Sequence, residues 1–523
     1  MKNRLLLIVI AISVLSCGKK YDLVIINGQV HSGNGDPSEL TDIGIIDDRI
    51  VHIGKISPNS DTEIIDATGL VVSPGFVDIH AHLDPILELS NCESHIRQGV
   101  TTAIGGPDGG GPWPFKNYLD TLKSIGVGMN VGFLMGHNKI RANVMGLENR
   151  APTSVELDSM KSQMQIAMNE GAFGISTGLK YLPGTFAKID EVIKISKVAA
   201  ENGGIYTSHL RDEGEGLLNG VGEAIEICEK ANIPVVLTHH KAIGKPMWGR
   251  SSESLALIDE ARANGLDVMA DQYPYAASHT GIGILIPSWA RAGGNGKYRQ
   301  RIANPVLKDS IKKQIIYNIL NDRGGSDLRR IQFSKVAWNK DLEAKTLHDW
   351  CIMEGMEPSL ENGAELVIRA QFSGGASCIY HAMSEDDVRN IMKYPHTAIA
   401  SDGRLSQKGD GSPHPRSYGT FVRVLGKYVR EEKVLTLEDA IRKMTSLPAN
   451  RMGFRDKGLI RAGYKADITI FDPNTVAEVG TFTDPHHFPV GIIHVIINGK
   501  FSVKDEQFLD KKNGAVLYGP KIL

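Results

Sequence analysis

The chain has 523 residues, 58 Lys and Arg against 60 Asp and Glu, a net charge of −2 and 41% hydrophobic residues. That length exceeds one ordinary domain and fits a large unit of about 350–400 residues with smaller companions. The balanced charge, with no Lys/Arg-rich block, excludes the basic footprint of a nucleic-acid-binding protein.

Lys2 and Arg4 precede an apolar run over 5–15 and then Cys17. A basic start, a short apolar stretch and small residues before a cysteine describe a secretory signal rather than a spanning helix. The pattern is that of a lipoprotein-type signal over 1–17. It predicts an exported, periplasmic or outer-membrane-associated protein held to the membrane only by lipid on Cys17. The other four cysteines, Cys92, Cys228, Cys351 and Cys378, have no CxxC spacing and read as buried small hydrophobes.

Short β-rich runs follow at 21–30 and 43–53, and a matching pattern returns at 466–471 and 492–498. The two ends predict one small β-sandwich domain, built from 21–73 and 453–523. Between them, over 74–452, apolar strands at 103–105, 132–135, 174–177, 205–209, 235–239, 268–272 and 398–401 alternate with helical stretches. Examples of the helices are 155–170, 187–202, 217–231 and 252–264. With a first strand ending near His80, this is the pattern of an α/β (β/α)8 TIM-like barrel, whose chemistry sits at the C-terminal strand ends. Residues 286–372 break the rhythm and predict a helical insertion, with a loop at 291–301, placed as a candidate lid.

The strand ends carry the chemistry. In VVSPGFVDIHAHLD (71–84), His80 and His82 are two apart and point to one side of an extended chain. Alone, such a pair reads more readily as two surface or satisfied histidines, since short motifs recur by chance. Other strand ends supply His209, His239 and Asp402. Several imidazoles at separate strand ends suit a hydrolytic zinc site with a position open for water. The ion lowers the pKa of that water towards about 7, and a neighbouring carboxylate moves the proton to the leaving group.

PGFVDIHAHLD (74–84), GISTGLKYLPG (174–184), SHLRDEG (208–214), THHKAIGK (238–245), DQYPYAAS (271–278), SDG (401–403), HPRSYGTF (414–421) and KGLIRAGYKADITIFDP (457–473) together resemble the amidohydrolase superfamily. Within it, the chain is similar to the N-acyl-D-amino-acid deacylases (D-aminoacylases). The resemblance implies one or two zinc ions, or another divalent metal, and hydrolysis of N-acyl-D-amino acids to a carboxylate and a D-amino acid. It implies His209 and His239 as tight ligands, His80 and His82 with Asp402 as a weaker second site, and Asp402 as catalytic acid and base. Lys241, Tyr273 and Arg416 match residues that hold the substrate α-carboxylate, and two cations with a phenol suit that task. His279 stands where some relatives carry serine and is a candidate specificity residue. Many D-aminoacylases have a zinc-binding cysteine where this chain has Asp108, a harder donor that is itself able to bind zinc. Lys180 is a further candidate ligand if carboxylated, as a bridging lysine is in other amidohydrolases. The alternatives are a cyclic amidase or dipeptidase of the same superfamily (hydantoinase-, dihydroorotase- or isoaspartyl-dipeptidase-like) and a metal-poor binding protein on the same scaffold.

Overall fold

Val100–Gly105 is buried at every residue, as are Gly174–Gly178 and Ile205–His209, the burial expected of parallel strands covered on both faces. In the computed structural model, which describes residues 21–58, 60 and 62–520, such strands form the α/β centre of the chain. The signal sequence 1–17 and Cys17 lie outside the described residues.

Phe76–Asp78, Val100–Gly105 and Asn130–Phe133 make a parallel three-stranded sheet. Met135–Gly136, Gly174–Gly178, Ile205–His209, Val235–Leu237, Val268–Gln272 and Thr397–Ile399 make a parallel six-stranded sheet in that order. The two sheets touch at both margins. On one side Leu134 N donates to Gly105 O at 2.9 Å and Phe173 N to Phe133 O at 3.0 Å. On the other, Ser401 N donates to Asp78 Oδ1 at 3.0 Å, Asp402 N to His80 O at 2.9 Å, and Gly403 pairs with Ala81.

The intervening helices are amphipathic and bury one stripe against these strands. Leu217–Ala231 buries Leu217, Gly220, Val221, Ala224, Ile227, Cys228 and Ala231, a three-to-four-residue spacing. It ends where Asn232 turns left-handed, with Lys230 in the last turn. Full burial of Ile227 contributes about 1.5–3 kcal/mol, so a polar residue there would unseat the helix. Ser154–Asn169 starts at a capping box in which Thr153 and Glu156 satisfy each other's backbone donors. These helices start and stop within one or two residues of the sequence expectation.

Strands from the two chain ends share one nine-stranded sheet. Val71–Pro74 lies in its middle, between Leu23–Val30 and Ile468–Phe471, and passes the chain directly into Phe76–Asp78. Gly75 makes the crossing because a Cβ there would lie 2.2 Å from the Thr101 side chain.

The 286–372 segment is not wholly helical, which corrects the sequence reading. Ile331–Lys335 is a strand, joined through Ser377–Tyr380 to Ser278–Gly281 in an antiparallel sheet with its own hydrophobic cluster. The expected loop at 291–301 is instead the helix Gly294–Ala303 over most of its length. Its two glycines disfavour a helix locally, but Tyr298 is buried with its ring 5.4 Å from Phe372. Tertiary packing overrides propensity there. Among the described residues no helix is long and apolar enough to cross a membrane.

Candidate metal centre

Past the last residues of the central strands, four histidines and two aspartates converge. His80 is fully buried, and its Nε2 lies 3.5 Å from Asp108 Oδ1 and 3.6 Å from Asp402 Oδ1. His82 Nε2 lies 3.1 Å from Asp402 Oδ1 and 3.6 Å from Asp108 Oδ2. From the other side His239 Nε2 approaches Asp108 Oδ1 at 3.3 Å, and His209 Nδ1 approaches Asp108 Oδ2 at 3.9 Å. His209 Nδ1 and His239 Nε2 are 2.7 Å apart. Two ligand groups result, His80–His82–Asp108–Asp402 and Asp108–His209–His239, with Asp108 in both.

Local backbone aims these groups. Asp108, His239 and Asp402 all have positive φ (55°, 39° and 46°), a conformation that non-glycine residues adopt at a cost of about 1–3 kcal/mol. The loop carrying Asp108 is pinned through Ser176, which accepts from Gly109 N at 3.1 Å and donates to Gly106 O at 2.6 Å. It also packs on Gly136, where a Cβ would meet Gly110 O at 1.8 Å and Gly109 O at 2.0 Å.

The donor set fits a divalent ion. Zinc bonds of about 2.0–2.1 Å in a tetrahedron set donors roughly 3.3 Å apart, and the carboxylate-to-imidazole distances here, 3.1–3.9 Å, bracket that edge. Among the described residues, buried His80 Nε2 and Asp108 Oδ1 have no hydrogen-bond partner, as ligand atoms of an ion would not. Burial opposes ionisation of Asp108, but His80 and His239 hold its carboxyl well below the usual range. Burial pushes His209 down to about 3, leaving the neutral imidazole that metals bind.

A second layer was missed in the sequence. Glu213 faces the outward nitrogens of both tight-ligand candidates, His239 Nδ1 at 3.0 Å and His209 Nε2 at 3.5 Å. Asp271 Oδ1 accepts from His239 N at 2.5 Å, and its Oδ2 lies 3.8 Å from His80 Nδ1. Carboxylates in these positions fix ring orientation and tautomer. The only signal was spacing: Glu213 follows His209 by one helical turn in SHLRDEG, and Asp271 opens DQYPYAAS.

The substrate-side candidates fall differently. Arg416 Nη1 lies 2.9 Å from Asp402 Oδ2, an ion pair too bent to be a good hydrogen bond, and its guanidinium sits 4.6 Å from the Tyr273 ring centre. The Tyr273 hydroxyl and His279 Nε2 are buried without hydrogen-bond partners among the described residues. Burial holds His279 down at about 3, so it is neutral. All three line one cavity of about 930 Å³ with His82, Asp108, His209, His239 and Asp402. Lys241 also lines it, but its Nζ is engaged by Glu213 Oε1 at 2.5 Å, His239 Nδ1 at 2.7 Å and His239 O at 2.6 Å. Lys180 is not brought to either ligand group. Its Nζ lies 3.5 Å from both Asp212 and Asp322 and borders a neighbouring cavity, because GLKYLPG turns away beyond Gly178.

Residues 63–249 and 333–503 match the amidohydrolase family. The chain belongs to that family. It is 33% identical to a D-aminoacylase of Alcaligenes xylosoxydans xylosoxydans, over 96% of this chain and 98% of that one. An N-acyl-D-glutamate deacylase of the same organism is 34% identical over 92% and 93% of the two chains. The crystal structure of N-acyl-D-glutamate deacylase from Bordetella bronchiseptica, complexed with zinc and a phosphonate mimic of the tetrahedral intermediate, superposes with a TM-score of 0.82 at 32% identity, covering 96% of this chain and all of that one. In this amidohydrolase the acid–base candidate Asp402 stands between His82 and Arg416.

Proposed function

We propose that this amidohydrolase hydrolyses the amide bond of N-acyl-D-amino acids with the help of zinc. The observation that carries the reading is the position of Asp402. One of its oxygens faces His82 at 3.1 Å and the other faces Arg416 at 2.9 Å, so it stands between metal centre and carboxylate anchor. Asp108, His209 and His239 hold one zinc, and His80, His82 and Asp402 with Asp108 offer a second position. Bound zinc supplies Lewis acidity towards the amide carbonyl and an acidified water.

The chain's own residues do the rest. Arg416 and the Tyr273 hydroxyl bind the α-carboxylate, since a guanidinium and a neutral phenol both donate to it. Lys241 contributes to that anchor from beside His239, steadied by Glu213. Burial raises the Asp402 carboxyl, but Arg416 and His82 outweigh it and keep Asp402 ionised and ready to accept a proton. Asp402 then returns that proton to the leaving nitrogen. His279, neutral and unpartnered, faces the side-chain region and contributes specificity.

For the architecture, we read the nine central strand segments, with Asn130–Phe133 and Met135–Gly136 counted as one interrupted strand, as a closed (β/α)8 barrel. The hydrogen bonds at both margins of the two parallel sheets support this. We read the terminal strands (21–73 and 453–523) as a β-sandwich domain, because Ile25, Ile43, Ile45, Val72, Ile468 and Ile496 from both chain ends pack into one cluster. The signal pattern at 1–17 supports export and anchoring through Cys17.

The test is a panel of N-acetyl-D- and N-acetyl-L-amino acids, dipeptides and hydantoins, given to the zinc-loaded protein. Turnover of the linear D-substrates is expected, and activity confined to cyclic amides would overturn the reading in favour of a cyclic amidase. Asp402→Asn should lower kcat by about 10²–10⁴-fold while zinc at the His209–His239 group is retained. Near-wild-type rates would remove Asp402 from its role.

A further inference from the structure

Next to the metal cavity lies a second one of about 730 Å³. Tyr181, Thr280, Gly281, Lys335 and Ser377 line both, so the two cavities share a margin, along which Thr280 Oγ1 donates to Tyr181 Oη at 3.2 Å. Arg416, Tyr273 and Asp402 border the first cavity only. The metal cavity, at about 930 Å³, already approaches the upper end of the roughly 300–1,000 Å³ usual for small-molecule sites. An N-acetyl amino acid would leave most of this combined space to water.

The charge of the second cavity is one-sided. Lys180, Arg211, Arg291 and Lys335 line it, and no Asp or Glu does among the described residues. These cations differ in how far they are neutralised. Arg211 is closed on Glu223 through a two-pronged contact at 2.7–2.8 Å, and Lys335 reaches out to Asp410 at 2.7 Å. Lys180 is held loosely, 3.5 Å from Asp212 and Asp322. Arg291 has no carboxylate partner among the described residues and donates to Gly283 O at 3.2 Å. Alongside it run Ile282, Ile284, Ile286 and Pro287, an aliphatic wall.

A half-buried guanidinium without a counter-charge favours an anion beside it. We propose that the second cavity is a subsite for the acyl portion of the substrate, and that it takes an extended aliphatic acyl chain ending in an anion. The aliphatic wall carries the chain, Arg291 receives its terminal carboxylate, and Lys180 adds to the field. The chemistry remains the hydrolysis proposed above, on which this inference rests. Water adds across the amide, its hydroxyl staying on the carbonyl carbon and its proton going to the nitrogen, to release a diacid and a D-amino acid.

The test compares N-butanoyl, N-hexanoyl and N-octanoyl derivatives of one D-amino acid with the N-succinyl, N-adipoyl and N-suberoyl derivatives. The expected result is a KM about tenfold lower for the longer diacyl chains than for their neutral counterparts, the size of one charge-assisted contact. Arg291→Met should bring that ratio close to one, and Arg291→Lys should restore part of it. The ratio is internal to each variant, so the amount of folded enzyme does not enter. Should Arg291→Met fail to fold, Lys180→Met reads the same ratio and should lower it about two- to threefold. Equal KM values for neutral and anionic chains, or a ratio unmoved by these variants, would overturn the subsite while leaving the deacylase reading intact. Failure to hydrolyse any N-acyl-D-amino acid, N-acetyl included, would overturn both.

Discussion

Glu213 sits 3.0 Å from His239 Nδ1 and 3.5 Å from His209 Nε2, and one carboxylate therefore orients the rings of two candidate ligands. Glu213→Gln keeps the shape and removes the charge. It should weaken zinc binding by about 10–100-fold, read by competition against a chelator. Unchanged affinity would reduce Glu213 to a partner of Lys241 alone. A pH dependence follows at the same scale. Burial lowers the His80 pKa, but Asp108 and Asp271 outweigh it and push the imidazole up to about 10. Zinc must displace that proton at any pH below the raised value, so zinc affinity should rise with pH, by up to about tenfold per unit for one proton displaced. Chelator competition at a series of pH values measures the slope, and a flat profile would show that His80 is already neutral before zinc binds. His80, His82, His209, His239 and Asp402 were all legible in the sequence because each closes a recognisable strand. Glu213 and Asp271 were not, since their one signal, the four-residue step from His209 to Glu213 and the place of Asp271 at the head of DQYPYAAS, is too common to single out a carboxylate that supports a neighbouring imidazole.

At the level of elements, the turns after the strands matter more than the strands themselves. Asp108 is aimed by a glycine-rich loop that rests on Gly136. Gly136→Ala would drive a methyl into Gly109 O and Gly110 O, and the loop would have to lift. Bound zinc should fall well below the wild-type stoichiometry, with a loss of about 1–3 kcal/mol in stability, measured by metal analysis and thermal unfolding. Full zinc content in that variant would show that the loop has room to yield. The alternating strands and helices were readable because their periodicities of 2 and 3.6 are local. The sheet formed by Ser278–Gly281, Ile331–Lys335 and Ser377–Tyr380 was not, because its partners are distant in sequence and each strand is only four or five residues long. Lys180 shows the same limit: a residue just past a strand end points wherever the loop turns, and here the loop leads it to Asp212 and Asp322.

For the whole molecule, the two chain ends are structurally one. Ile492–Ile497 pairs with Ile468–Phe471, which pairs with Val71–Pro74, the segment leading directly to His80 and His82. Val495, Ile496, Ile497 and Val503 are all but fully buried. Exposing these four side chains would cost about 6–12 kcal/mol, comparable with the roughly 5–15 kcal/mol that stabilises a typical protein. A chain ending at Gly491 should therefore fail to accumulate as folded protein, as judged by solubility and circular dichroism. A soluble truncated protein with normal zinc content would show that the central strands stand alone.

Asp108 belongs to both ligand groups, and it has only two oxygens to divide between them. Its Oδ1 faces His80 and His239, while its Oδ2 faces His82 and His209. Two ions bound here would not be independent guests. Each would alter the charge and orientation of a donor needed by the other, so their affinities are tied by a single coupling free energy, equal in both directions. The protein's response to zinc is then a matter of occupancy statistics: how steeply the second equivalent binds depends on how fully the first is bound, and both slopes trace back to one aspartate.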